Sequence, residues 1–198
     1  MTKLRVLVAC EFSGKVRRAF RALGHSAISC DLLPADDDEK IFHVRCDVRD
    51  LLTRNQSWDL MIAHPPCTRL TVAGARWFKG REAEQAEAIA FVECLWAAPI
   101  ARIAIENPIG VLSTRSTLGK PTQIIQPWQF GHGETKATCL WLKGLSALCP
   151  SNIVPGRADR IHKMPPSPDR WKKRSETYDG IATAMAAQWG GDVCEVAA

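Results

Sequence analysis

No stretch of this 198-residue chain approaches the ~20 consecutive apolar residues of a membrane-spanning helix. Nor does it open on a basic, then apolar, signal-peptide pattern. Its eight cysteines (Cys10, Cys30, Cys46, Cys67, Cys94, Cys139, Cys149 and Cys194) are scattered singly, with no C-x-x-C pair. That spacing disfavours a zinc site, and a chain of this size needs no disulfide staples. There is no internal repeat and no low-complexity tract, which excludes repeat architectures. Charge of one sign is also scarce: 26 basic against 21 acidic residues leaves a net +5. That excess does not demand a polyanionic partner, though it is compatible with one. What is present is ordinary globular material, 46% hydrophobic and 24% charged, enough for one domain, residues 1–198, with a substantial core. The expectation is a reduced, soluble, cytoplasmic protein.

Apolar runs and breakers then predict an alternation of strands and helices. Lys3–Cys10 reads as a first strand, followed by a turn at Ser13-Gly14 and a basic amphipathic helix, Lys15–Leu23, closed by Gly24. His25–Cys30 reads as a second strand ending at Asp31, Pro34–Lys40 as a solvated acidic loop, and Ile41–Arg45 as a short third strand ending at Cys46-Asp47. Asp59–Ala63 and Ala101–Ile105 read as buried strands on either side of a helix over Arg81–Ala98, with a loop containing Trp77 and Phe78 before that helix. Such alternation predicts an α/β fold with a mainly parallel sheet. Gln123–Trp128 and Ala137–Leu142 are joined by the short segment Phe130–Lys136, which predicts an antiparallel hairpin at one end of the sheet. A turn and terminal helix are expected over Ser175–Trp189.

Two strings carry the chemistry: His64-Pro65-Pro66-Cys67, and Ile105-Glu106-Asn107-Pro108. Each is expected just past a strand, and the carboxyl edge of an open parallel sheet is where ligands bind. A thiol (Cys67) and a carboxylate (Glu106) in one crevice make a nucleophile and an acid. Two prolines hold the Cys67 loop out of helix and so aim its side chain. A carboxylate directly after an apolar strand is expected to have a raised pKa, leaving Glu106 able to donate a proton near neutrality. Asn107 could fix its loop by side-chain-to-backbone bonds.

Three further strand ends are candidates for a nucleoside. Phe12-Ser13-Gly14 joins the first strand to the first helix, where glycine allows close backbone approach and the helix N-terminus favours anions; a plain strand–helix turn is the alternative. Asp31 could accept from a ribose diol and Asp47 from an adenine amino group, although either could be a solvated loop acid. Their order, at the ends of strands one, two and three, spells an adenosine site. In the segment Phe130–Lys136, His132 or Lys136 could supply positive charge to a phosphate or base; a solvated hairpin turn is the alternative.

In this order the residues resemble those of the DNA cytosine-5 methyltransferase family, in a short form similar to small phage-encoded members. Phe12-Ser13-Gly14 resembles the first cofactor motif, with Val16 and Arg17 where further glycines are usual. Asp31 and Asp47-Val48 resemble the ribose and adenine contacts. Pro66-Cys67 matches the catalytic Pro-Cys, with Thr68 in place of Gln, and Glu106-Asn107 matches the Glu-Asn motif, with Pro108 in place of Val. Glu134, Lys136 and Thr138 occupy the places of a Gln-x-Arg-x-Arg signature. Thr177-Tyr178-Asp179-Gly180 resembles the last cofactor-facing motif. The resemblance implies a Rossmann-like class I S-adenosylmethionine-dependent methyltransferase fold with S-adenosylmethionine as methyl donor. It implies Cys67 and Glu106 as catalytic residues, Phe12, Ser13, Gly14, Asp31, Asp47, Val48 and Pro66 around the cofactor, and Thr68, Asn107 and Lys136 near a cytosine in DNA.

Larger members of that family carry a target-recognition domain where this chain has only the 31 residues Lys143–Lys173. Arg157, Arg160, Lys163, Arg170, Lys172 and Lys173 give that segment a composition suited to phosphates; a solvated basic loop is the alternative. A second chain, a copy of this one or a separate recognition subunit, could supply reading. Two other readings stay open: the same or a related C5 alkylation on free cytidine nucleotides, and a non-catalytic nucleic-acid-binding accessory subunit.

Overall fold

A computed structural model describes residues 2–54, 57–72, 74 and 78–191. Trp77 and Cys194 lie outside the described residues. The strands are β1 (Arg5–Ala9), β2 (Ser26–Asp31), β3 (His43–Arg45), β4 (Leu60–Ala63), β5 (Ile103–Pro108), β6 (Gln123–Ile125) and β7 (Thr138–Lys143). They form one sheet in the order β3-β2-β1-β4-β5-β7-β6. From β3 to β5 all neighbours are parallel; β7 runs antiparallel to both β5 and β6. The mainly parallel sheet and the terminal hairpin are those the sequence predicts.

Strands β1 and β4 read as unbroken apolar runs because helices cover both faces of the sheet. Val6, Val8 and Ile62 point to one side, against Val16 and Phe20 of α1 (Lys15–Ala22) and Ile181, Met185 and Trp189 of α7 (Asp179–Trp189). Leu7, Met61 and Ile103 point to the other, against Val48 and Leu51 of α2 (Val48–Thr53) and Val92 and Leu95 of α3 (Glu82–Trp96). α1 ends where Gly24 takes φ +87°, a left-handed conformation that glycine adopts without steric cost. Smaller helices follow: α4 (Leu112–Arg115), α5 (Arg160–Lys163) and α6 (Arg170–Ser175).

Three expectations need correction. First, β5 does not stop at Ile105: it continues through Glu106, Asn107 and Pro108, paired with Leu140, Cys139 and Thr138 of β7. On its other side, pairing with β4 ends at Ile105. A long antiparallel partner therefore carries Glu106 and Asn107 in strand past the parallel edge. Second, the acidic loop is anchored as well as solvated. Asp37 is only 9% exposed, accepting from the buried Arg17 and from Arg18 of α1, and the Asp36 amide donates to the Phe12 carbonyl at 2.9 Å. Third, α2 was not expected. Its signal is Asp47, whose carboxylate accepts from the Arg49 amide at 2.9 Å as an N-cap; a residue considered as a ligand contact is also a helix start.

Candidate active site

The site lies at the carboxyl edge of the parallel strands, where the turn after β4 faces the overhang of β5. The turn is held from three sides. The His64 amide donates to Ala9 O at 2.9 Å, the Asn107 side-chain amide donates to Pro65 O at 2.9 Å, and the Leu70 and Thr71 amides both donate to Cys67 O at 2.9 Å. Asn107 is 1% exposed; its side-chain amide links the two strings, while its buried Oδ1 has no hydrogen-bond partner among the described residues. The loop beyond β5 is joined to the same turn, with Val111 N donating to Leu70 O at 2.8 Å and Val72 N to Ile109 O at 3.1 Å. Gly110 lies so close to the Leu70 carbonyl that no side chain fits there.

Cys67 is partly buried. Burial pushes its thiol up and the charge of Glu106 pushes it further, while Lys136 and Arg174 act in the opposite sense. The turn bearing Cys67 and the strand bearing Glu106 are joined by the His64–Glu106 and Asn107–Pro65 hydrogen bonds. Glu106 differs from expectation. Burial by itself would raise its pKa, but His64 Nδ1 lies 2.9 Å from Oε2. That hydrogen bond, the imidazole charge and Lys136 together leave Glu106 below the ordinary carboxylate range. His64 was named as part of the string but given no role. Its side chain is 8% exposed, and its Nε2 is buried without a partner. The available signal was a polar residue placed directly after four buried apolar ones, in a position that faces the neighbouring strand.

The nucleoside candidates divide between two adjoining cavities that share Cys10. One, of about 260 Å³, is lined by Asp31, Leu32, Asp47, Val48, Pro66 and Phe91 among others. Asp31 accepts from the Leu33 amide through Oδ1 at 2.9 Å, and burial raises its pKa against that bond and against His43 and His64. Asp47 is held by the Arg49 guanidinium, with a shortest contact of 2.5 Å, which keeps its carboxyl below the usual range. A smaller cavity is lined by Glu11, Phe12, Ser13, His64, Ser175, Glu176 and Thr177. Gly14 lines neither; it takes φ +69° and packs under the Asp37 carboxylate. The α1 N-terminus is already occupied, because the buried Glu11 accepts from the Val16 and Arg17 amides at 2.6 and 3.3 Å. An anion site there, considered from the sequence, is filled by the chain's own carboxylate.

Of the remaining substrate candidates, Thr68 is exposed at the turn. Lys136 donates to the Glu176 carbonyl at 3.1 Å, with its charge felt by both Cys67 and Glu106. Glu134 is bonded to Arg160 and to the Tyr178 hydroxyl at 2.6 and 2.8 Å. Thr138 is buried and donates to Lys136 O. Within the basic segment, Arg160, Lys163 and Lys172 are paired with Glu134, Asp159 and Asp36, and Arg157 stacks on Trp128 at 3.8 Å. Among the described residues Arg170 and Lys173 make no ion pair with a carboxylate, nor does the neighbouring Arg174. α6 lies against the first loop, with Trp171 and Phe12 ring centroids 6.1 Å apart.

Strand order, the reversed β7 and a strand-edge site are those of the Rossmann-like class I S-adenosylmethionine-dependent methyltransferase fold. A solved structure assigned as a DNA modification methyltransferase encoded within an E. coli prophage shares this fold, with TM-score 0.50 and 13% identity over 78% of this chain and 53% of that one. The Entamoeba histolytica methyltransferase EhMeth matches with TM-score 0.48, 14% identity, and coverage of 80% and 58%. The S. pombe Dnmt2 methyltransferase gives TM-score 0.48, 15% identity, and coverage of 82% and 54%. This chain therefore spans little more than half the length of those proteins. No family model matches the sequence, and no curated protein matches it significantly.

Proposed function

We propose that this protein transfers a methyl group from S-adenosylmethionine to C5 of cytosine in DNA through a transient bond to Cys67. The observation that carries the reading is a thiol-bearing, proline-fixed turn hydrogen-bonded to the overhanging strand that bears the carboxylate, at the ligand-binding edge of this fold. The larger cavity fits part of such a donor. Val48, Phe91 and Pro66 supply apolar walls for a flat ring. Asp31 lines this cavity and uses Oδ1 on the Leu33 amide; its carboxylate is the acceptor for a diol. About 260 Å³ lies just under the usual range of about 300–1,000 Å³ for ligand pockets, so the cavity suits a nucleoside portion. When bound, S-adenosylmethionine supplies an electrophilic methyl group.

The chain's own groups do the rest. C5 of cytosine is a weak nucleophile. Addition of the Cys67 thiolate to C6, with protonation at N3 through Glu106, moves electron density to C5. The thiol first gives its S–H proton to water; after C5 accepts the methyl group, its own proton passes to water, the pair left behind forms the C5–C6 double bond and the C6–S bond breaks to return the thiolate, so one difficult step becomes several easier ones. In a duplex the base must first leave the stack. Asp31→Ala is expected to weaken S-adenosylmethionine by about 1.5–3 kcal/mol, the range for a hydrogen bond to a charged group. Titration calorimetry measures this, and wild-type affinity in the variant would remove Asp31 from the cofactor site.

The substrate class is tested by salt. If Arg170, Lys173 and Arg174 each contact one phosphate, log K for duplex DNA should fall against log salt with a slope of roughly −3. Neutralising all three should flatten it. The paired cations Arg160, Lys163 and Lys172 keep the slope below the roughly −5 that six free contacts would give. Labelled S-adenosylmethionine should deliver label to cytosine in DNA. Label transferred only to free cytidine nucleotides, with no salt response, would select a nucleotide-modifying enzyme, and inertness on every substrate would favour an accessory subunit.

A further inference from the structure

Resting on the reading of Glu106 as the group that protonates N3, we propose that His64 is a positioning residue that stores the delivered proton, so that the site's acid is a histidine–carboxylate pair. The two side chains come from different elements and are tied twice. His64 Nδ1 lies 2.9 Å from Glu106 Oε2. One residue further along each element, Asn107 donates to Pro65 O at 2.9 Å. The His64 amide, bonded to Ala9 O, fixes the root of the imidazole. Two neighbouring links of similar length leave the ring little freedom to turn away.

A nitrogen and a carboxylate oxygen at this separation share one proton in a charge-assisted bond. Glu11 from the loop after β1 and Asp31 from β2 both interact with the His64 charge. Glu176, from the segment after α6, lines the same small cavity as His64, as do Glu11 and Cys10. Against these carboxylates stand Lys136, acting on Glu106 and Cys67, and Arg174, acting on Cys67. The hydrogen bond to His64, with the charge of Lys136, outweighs burial and holds Glu106 below the ordinary carboxylate range. In the addition step the S–C6 bond forms and the C5–C6 π pair moves into the ring. The His64 Nδ1–H bond breaks, and Glu106 takes that proton and passes it to N3. Glu106 ends as the carboxylate it began, and His64 ends neutral. Expulsion of Cys67 reverses the path and recharges His64.

The test combines imidazole titration with kinetics. In protein carrying 15N-labelled histidine, the His64 signal, identified by its loss in His64→Asn, is followed by NMR against pH in wild type and Glu106→Gln. The protonation midpoint should fall by about one pH unit or more in the variant, a tenfold change in proton affinity. His64→Asn keeps a side-chain N–H for Glu106 but no transferable proton. The proton must then reside on Glu106 itself, so the alkaline limb of the transfer rate should shift by about one pH unit or more from that of wild type, a tenfold change in proton affinity. An unchanged midpoint in Glu106→Gln, or superimposable pH profiles for His64→Asn and wild type, overturns the proposal. Absence of transfer by the wild-type protein would instead overturn the proposed function, while the titration decides the pair by itself.

Discussion

Replacing Cys67 with alanine is expected to abolish the proposed methyl transfer while leaving S-adenosylmethionine affinity nearly unchanged. The thiol is the atom that adds to C6, and no neighbouring group can replace it. Glu106 is an ionised carboxylate in a hydrogen bond to His64, and the thiols of Cys10 and Cys139 are both pushed up by burial. Cofactor affinity should survive because Asp31, Asp47 and Val48 line a cavity that Cys67 does not. The bond itself can be trapped. With 5-fluorocytosine in the DNA, fluorine cannot leave as the C5 proton does, so wild-type protein should accumulate an adduct visible in an intact-mass spectrum, and Cys67→Ala none. Active turnover without any adduct would require a mechanism that bypasses the thiol. Because burial and Glu106 both hold the thiol up, nucleophilic attack depends on the cations Lys136 and Arg174. A neutral residue at 136 should therefore slow adduct formation more than it weakens cofactor binding.

The second large effect is on stability. Arg17 has 0% side-chain exposure, yet its guanidinium bonds Ser29 Oγ at 2.8 Å and the Asp37 carboxylate. Breaking a buried pair by removing one partner typically costs about 3–5 kcal/mol. Arg17→Met should fall near the lower end, about 3 kcal/mol, because Arg18 continues to pair with Asp37. Denaturant unfolding would show this, and a loss within experimental scatter would mean the pair contributes nothing net. A pH signature should accompany it. Burial raises the Asp37 pKa, but Arg17 and Arg18 outweigh burial and hold it below the ordinary value. A carboxyl group depressed in the folded state stabilises above its unfolded pKa, and that contribution is lost as pH falls through the folded pKa. With Arg17 removed the folded pKa rises, so acid unfolding should begin at a higher pH than in wild type.

These two residues also show what was legible in the chain. The sheet could be read because its central strands are continuous apolar runs, and because segments with helical spacing separate them. Cys67 and Glu106 could be read because strand-end chemistry is local in sequence. Long-range pairing was not legible. Nothing near Glu106 announces that β7 will carry it inside a strand, or that His64, 42 residues earlier, will meet it. Nothing in Asp36-Asp37-Asp38 marks the middle aspartate as the one that folds under α1. Asp47 shows a different difficulty, since the same side chain serves as helix cap and Arg49 partner while lining the cavity for which it was singled out.

The uneven end of the sheet separates the two reacting groups by the way each can move. Glu106 sits in a ladder whose opening requires β5 and β7 to part, and such core pairings open only at free energies near that of global unfolding. Cys67 sits outside that ladder, on a turn held by separate hydrogen bonds to Ala9, Pro65 and Cys67 carbonyls, which can break one at a time. The carboxylate is therefore the fixed reference of the crevice and the sulfur its adjustable member. A pyrimidine settling there would be indexed by its N3 edge, with the thiol moving to meet C6.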